Sequence, residues 1–277
     1  VAVAKRSRTA QGVLAERAIL TDLGVLDDPF ARGMLSPGMA LIYRFARRRP
    51  QVVPTLPVTL AGLAARVRWH DERVLEALDD GIRQVAVIGA GYDSRAWRFQ
   101  HDGVRFFEVD HEATQADKVR RAPSPGPTYV QADLADQSAA SSMLASGFDA
   151  TQPAMFVLEG VTMYLSEEAV RHQLTELSGT SAAGSRLSTD FYPRPQAGTT
   201  RDQRQRGAQH LARAGSGEHL KLLVDATEAT DLVTACGWEV NEVSGARSAA
   251  KVLVPPTSGL PIEAVNEQKT LLAATRA

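Results

Sequence analysis

The chain has 277 residues, 44% hydrophobic and 23% charged, with a formal net charge of −1 and a single cysteine, Cys236. These values exclude an internal disulfide, lack the basic footprint that nucleic-acid phosphates demand, and leave no stretch near the ~18 apolar residues of a membrane span. A chain of this length buries roughly 75% of its unfolded surface, so its core needs no staples, and the lone thiol together with a basic opening that lacks a signal-like apolar run predicts a reducing, cytoplasmic setting.

The first third reads as helical. Mixed charged and apolar positions run from about Thr9 to Leu23, and a broken Pro- and Gly-containing stretch, DDPFARGMLSPGM, follows. The basic triplet Arg47-Arg48-Arg49, before Pro50, reads as a solvated helix end, because three arginines do not make a binding surface. Pro57 suits the first turn of the clearest helix. In it Leu60, Leu63, Ala64, Val67, Val74, Leu75 and Leu78 recur at helical spacing, and Gly81 sits where a C-terminal cap belongs.

At Gln84 the pattern changes. QVAVIG, RFFEVD, TYVQAD, PAMFVLEG and SRLSTDF are short strand-like runs. EATQADKVRRA, QSAASSMLAS and EEAVRHQLTELS, between them, can be helices. Strands alternating with helices predict a parallel sheet covered on both faces. Asp225 and Glu228 then form a capping-box pair for a helix ending near Cys236-Gly237. WEVNEV and KVLV are read as two closing strands, which makes seven. The polar stretch from Pro193 to Glu218 is the longest without a strand and reads as a lid or insertion.

Four strand ends carry cofactor-type signals. Gly89 and Gly91, in VIGAGYDSRAWRF, follow the first strand, where glycines permit a tight turn and a close ligand approach, and the next helix offers free N–H groups. Ser94 replaces the third glycine of the dinucleotide pattern, which weakens an NAD reading. Asp110 ends the second strand about 20 positions on, where a carboxylate can accept both ribose hydroxyls of an adenosine. Glu108 lies two residues earlier on the same side. After the third strand, Asp133 and the Leu134 N–H suit an adenine edge; an Asx turn or helix cap is the competing reading. Glu159, in Leu158-Glu159-Gly160, ends the fourth strand and is aimed at a cofactor or substrate; a carboxylate satisfied by backbone is the alternative.

Together, GAGYDSRAWR, FFEVD, QADL and VLEGVTMYL, in this order and within about Arg66 to Arg186, resemble the leucine carboxyl methyltransferase family and its bacterial relatives, class I S-adenosylmethionine-dependent O-methyltransferases. The resemblance implies a Rossmann-like α/β fold with a seven-stranded, mostly parallel sheet, helices on both faces, an N-terminal helical extension and a lid insertion. Residues 1–277 would then be one methyltransferase domain: a helical part (1–82), a cofactor-binding core (83–192), the lid (193–224) and a C-terminal helix with closing strands (225–277). It implies further that Gly89 and Gly91 approach the amino-acid part of S-adenosylmethionine, Asp110 holds the ribose, Asp133 and Leu134 hold the adenine, and Glu159 lies near the methionine amino group. Arg66, in Ala65-Arg66-Val67, looks like the family arginine that grips the cofactor carboxylate; an exposed residue on an amphipathic helix is the plainer reading. The eukaryotic members' N-terminal lysine has no clean counterpart in Lys5-Arg6-Ser7-Arg8, which leaves Arg8 as a candidate.

The acceptor is less legible. A carboxylate is already ionised and needs cationic or hydrogen-bonding groups, for which Arg201, Arg204 and Arg206 are candidates. A hydroxyl would want a base, for which His210, His219 and His172 are available. Tyr164 either lines the acceptor pocket or packs the helix after Ser166. The expected activity is methyl transfer to an oxygen, a carboxylate by preference, of a small molecule, with S-adenosylhomocysteine as product and no metal. No nucleic-acid or membrane partner is expected. An NAD-dependent dehydrogenase and a non-catalytic cofactor-binding protein are the alternatives.

Overall fold

The structure, a computed structural model, describes residues 7–48, 56–194 and 219–277. Helix α1 (Arg8–Asp22) starts at Ser7, whose hydroxyl accepts from the Ala10 N–H at 3.0 Å and so satisfies one of the orphan donors of the first turn. Helix α2 (Pro37–Arg48) ends on exposed Arg47 and Arg48, with Arg47 3.3 Å from Asp22. Helix α3 (Leu56–Asp79) stops where Gly81 takes φ +92° and the Ile82 N–H reaches back to the Ala77 carbonyl.

The alternating part follows as β1 (Gln84–Ile88), α4 (Arg95–Arg98), β2 (Arg105–Asp110), α5 (Glu112–Val119), β3 (Thr128–Gln131), α6 (Ala139–Ala145), β4 (Met155–Leu158), α7 (Glu167–Thr180) and β5 (Arg186–Phe191). The chain closes with α8 (Ala226–Ala235), β6 (Glu239–Gly245), α9 (Ala246–Leu253) and β7 (Thr270–Thr275). The seven strands lie in the order β3-β2-β1-β4-β5-β7-β6, and β7 runs antiparallel to both of its neighbours. Strand order reverses between β1 and β4, and in open α/β sheets the ligand crevice forms at such a reversal, outside the carboxyl ends of the strands.

The sheet is covered on both faces because its strands alternate two apolar sets. Ile88, Phe107, Val109, Phe156 and Leu158 point into a core shared with Met143, Val170, Leu174 and Val233 from α6, α7 and α8. Val85, Val87, Phe106, Met155 and Val157 face Val74, Ala77 and Leu78 of α3. An aromatic file, Phe107–Phe148–Phe156–Trp238, crosses the first core at centroid spacings of 5.5, 5.9 and 6.0 Å, and Trp238 donates its indole N–H to the Leu174 carbonyl at 2.9 Å. A third core joins α1, α2 and the first half of α3 to Ala246 and Ala250 of α9.

Two expectations need correction. KVLV is not a strand. It ends α9, where Ala246, Ala249, Ala250 and Leu253 are buried at helical spacing while Val252 is 82% exposed. A helical period over eight residues outweighs a four-residue apolar run. The seventh strand is instead TLLAAT, at Thr270–Thr275. The helix after the glycine pair is also only four residues long, and the N–H of its first residue, Arg95, is already bound by Asp93 Oδ1 at 2.7 Å. Of the region read as a lid, residues 195–218 lie outside the described ones, and so do Arg49, Lys5 and Arg6.

Candidate active site

A cavity of about 860 Å³ opens at the carboxyl ends of the parallel strands. Its wall includes Gly89 and Gly91 after β1, Asp110 at the end of β2, Asp133 and Leu134 after β3, and Glu159 after β4. Arg66 reaches it from α3, Arg8 from α1, and Tyr164 from a 3-10 turn at Thr162–Tyr164. Four strand tips and two helices that the sequence leaves far apart are thus brought to one hollow. The other acceptor candidates are not placed there. Arg201, Arg204, Arg206 and His210 lie outside the described residues, and His172 and His219 are exposed and do not line the cavity.

Each tip has a local reason for its shape. Gly89 takes φ +71°, and an added Cβ would lie 2.6 Å from Val161 Cγ2, so conformation and space both demand glycine. Gly91 takes φ +52° and donates its N–H to Asp110, whose other oxygen accepts from the His111 N–H at 2.6 Å. The Asp110 carboxylate therefore ties the glycine turn to the end of β2, with lone pairs left over for further donors. Burial pushes Asp110 above its ordinary value, against the pull of these two N–H groups. Asp133 makes the Asx turn of the plainer reading, Oδ1 accepting from the Ala135 N–H at 3.1 Å, and lines the cavity as well.

Glu159 is held between two guanidinium groups. Arg66 Nε is 3.1 Å from Oε1 and Arg95 Nη2 is 2.7 Å from Oε2. Burial by itself would raise the acid, but Arg95 and then Arg66 hold it well below the usual carboxylate range. Arg66 does not stand on an exposed helix face. Its side chain is 13% exposed, its Nη1 is 3.2 Å from the Tyr192 hydroxyl, and a Cβ on Gly160 would meet its guanidinium at 3.1 Å. Gly160 is fixed in turn by its N–H bond to Asp190 Oδ1 at 2.6 Å.

Behind the wall runs a polar network that the sequence did not announce. Arg95, 1% exposed, also binds Asp71 (2.8 Å) and Asp93. Arg98 grips both oxygens of Asp71 at 2.6 and 2.9 Å. The Ser94 hydroxyl accepts from Arg17 at 2.6 Å and from Arg98 at 2.9 Å, so the serine in place of the third glycine carries two cationic donors. Arg95 and Arg98 lie within the quoted motif GAGYDSRAWR, and their i, i+3 spacing was the available signal. At the far end of the wall, Lys269 Nζ is 3.3 Å from the Tyr192 hydroxyl and 4.4 Å from its ring centroid. No motif marked Lys269 or Tyr192.

Residues 10–178 match the family model described as leucine carboxyl methyltransferase, more than half of the chain. The chain belongs to the leucine carboxyl methyltransferase family. It is an S-adenosylmethionine-dependent methyltransferase. The family match starts in α1, well before the stretch from about Arg66 over which the sequence motifs carry the resemblance. A Mycobacterium marinum protein provisionally named an S-adenosyl-L-methionine-dependent methyltransferase is 30% identical over 249 residues, covering 84% of this chain and 82% of that one. A Mycolicibacterium paratuberculosis protein of the same name is 32% identical over 256 residues, covering 84% and 83%. A solved structure from Thermobifida fusca, provisionally assigned as a methyltransferase, shares the fold at a TM-score of 0.62 and 16% identity, over 98% of this chain and 96% of that one. Within this family the dehydrogenase reading of the glycine turn is not favoured.

Proposed function

We propose that this methyltransferase seats the cofactor across the strand tips and transfers its methyl group to an oxygen, by preference a carboxylate, of a small molecule. The observation that supports this best is convergence: Arg66, Gly89, Gly91, Asp110, Asp133, Leu134 and Glu159 all line one cavity. The residues present fit the cofactor's chemistry. The left-handed turn at Gly89 and Gly91 brings bare backbone to the cavity wall, Asp110 offers acceptors for ribose hydroxyls, and Arg66 offers a guanidinium for a carboxylate. Glu159, kept ionised by its arginines, suits an ammonium group.

When bound, S-adenosylmethionine supplies a methyl group on a sulfonium, and the protein supplies position and electrostatics. The wall beyond the strand tips is partly apolar, with Leu56, Leu63 and Met163, and carries the phenols Tyr164 and Tyr192. It suits a small acceptor with an apolar body and an oxygen end. An acceptor carboxylate arrives ionised, so these groups need only hold and orient it, and no side chain has to remove a proton. Isothermal titration with S-adenosylmethionine and S-adenosylhomocysteine tests the cofactor site. Both should bind, and Asp110→Ala should weaken binding by ~1–3 kcal/mol, the scale of a lost charge-assisted bond. Folded protein that gives no heat with either ligand would sink this reading. Methyl transfer from labelled cofactor to a panel of carboxylic acids and phenols tests the acceptor preference.

A further inference from the structure

Among the cavity's cations, Arg17 is paired with Asp28 and Arg66 with Glu159, and Arg8 is also engaged. Lys269 differs. It is half-buried, and among the described residues no carboxylate oxygen lies within 4.0 Å of its ammonium; its partner is the Tyr192 phenol. An ammonium has three donors and a strong demand for solvation or an anion. A phenol answers one donor and leaves the charge uncompensated.

The position is not an accident of a flexible side chain. β5 and β7 pair antiparallel through Phe191↔Thr270, so the next step of the register sets Tyr192 beside Lys269. The Lys269 carbonyl accepts from the Ala246 N–H at 2.8 Å, which ties the residue to the start of α9. Tyr192 then links two cations, its hydroxyl 3.2 Å from Arg66 Nη1 and 3.3 Å from Lys269 Nζ. All three side chains face the same cavity.

We propose that Lys269, supported by Tyr192, is a carboxylate-binding residue of this site. The inference rests on the cofactor reading above and adds to it the group that receives a carboxylate at the β5–β7 end. That carboxylate has two sources, the amino-acid end of the cofactor or the methyl acceptor, and both present the same chemistry to an ammonium.

The test is isothermal titration of wild type, Lys269→Met and Lys269→Arg. The probes are S-adenosylhomocysteine, its decarboxylated analogue and, on S-adenosylhomocysteine-loaded protein, benzoate and octanoate with their uncharged amides. If the cofactor is the source, Lys269→Met weakens S-adenosylhomocysteine tenfold or more, Lys269→Arg restores most of it, and the decarboxylated analogue is unaffected. If the acceptor is the source, S-adenosylhomocysteine binding is unchanged. Wild type then prefers at least one acid over its amide, and Lys269→Met abolishes that preference. The proposal is overturned if Lys269→Met matches wild type throughout. It is also overturned if the variant weakens the decarboxylated analogue as much as the parent ligand, which marks a purely structural role. An intact cofactor affinity with no preference for acid over amide in wild type overturns it too. Failure of wild type to bind S-adenosylhomocysteine at all would instead count against the cofactor site itself.

Discussion

The two parts of the sheet build the cavity in opposite ways. From β1 to β5 every strand runs toward the crevice, so the cavity residues lie near or just after the strand ends: Gly89 after β1, Asp110 ending β2, Asp133 after β3, Glu159 after β4. β7 runs the other way, so it meets the cavity at its start: Lys269 comes just before the strand, and Thr270 and Leu271 open it. In the parallel part a short apolar run followed by a polar or glycine residue announces both strand and site. In the antiparallel part the same rim is reached by a residue whose neighbours carry no such mark, and only the pairing of β7 with β5 brings it there.

That contrast can be broken by experiment. The largest effects concern what each part holds together. Arg95→Met leaves Asp71, Asp93 and Glu159 without their shared cation. It should cost about 3–5 kcal/mol in denaturant unfolding and weaken S-adenosylhomocysteine. A loss under about 1 kcal/mol would mean that the network does not stabilise the parallel tips. Trp238→Ala, at the start of β6, should cost a similar 3–5 kcal/mol through its lost core contacts, yet leave cofactor affinity intact well below the melting temperature. A tenfold drop in affinity would erase the division between the two parts.

Next in size is a pH effect inside the parallel part. Burial pushes Glu108 up to about 7 despite the Lys118 ammonium beside it, and one of its oxygens has no partner. The folded protein then keeps a proton that the unfolded chain has released, so stability should fall by up to about 3 kcal/mol as pH rises from about 4.5 to 7. Glu159 has the reverse sign: its depressed pKa contributes stability that is lost only as the medium turns acid. Unfolding measured from pH 5 to 8 should show the Glu108 slope in wild type and lose it in Glu108→Gln. The same slope in both would remove Glu108 as its cause.

Two smaller changes sharpen the comparison. Gly89→Ala forces a Cβ against Val161 at a left-handed position. It should cost about 1–3 kcal/mol and weaken S-adenosylhomocysteine, as read by thermal melts with and without ligand. Asp225→Ala removes the capping box of α8, where Asp225 and Glu228 each accept the other's N–H. About 1 kcal/mol of stability should go, with cofactor affinity unchanged. A ligand-binding defect in Asp225→Ala would show that α8 is coupled to the cavity after all.

The sequence by itself determined the local frame. Apolar runs set β1 to β6, helical spacing set α3, the Asp225–Glu228 pair set the start of α8, and glycines marked the turn after β1. These features depend on residues within a few positions of one another, which is why they can be read in order along the chain. Tertiary structure decided the rest. It turned KVLV into the end of a helix because one face of α9 had a core to enter, and it made TLLAAT a strand because β5 and β6 left a gap to fill. It also placed Arg95 between Asp71, Asp93 and Glu159, and Lys269 against Tyr192. A charge's partner is set by distance through space, and a linear reading has no access to that distance until the sheet has closed.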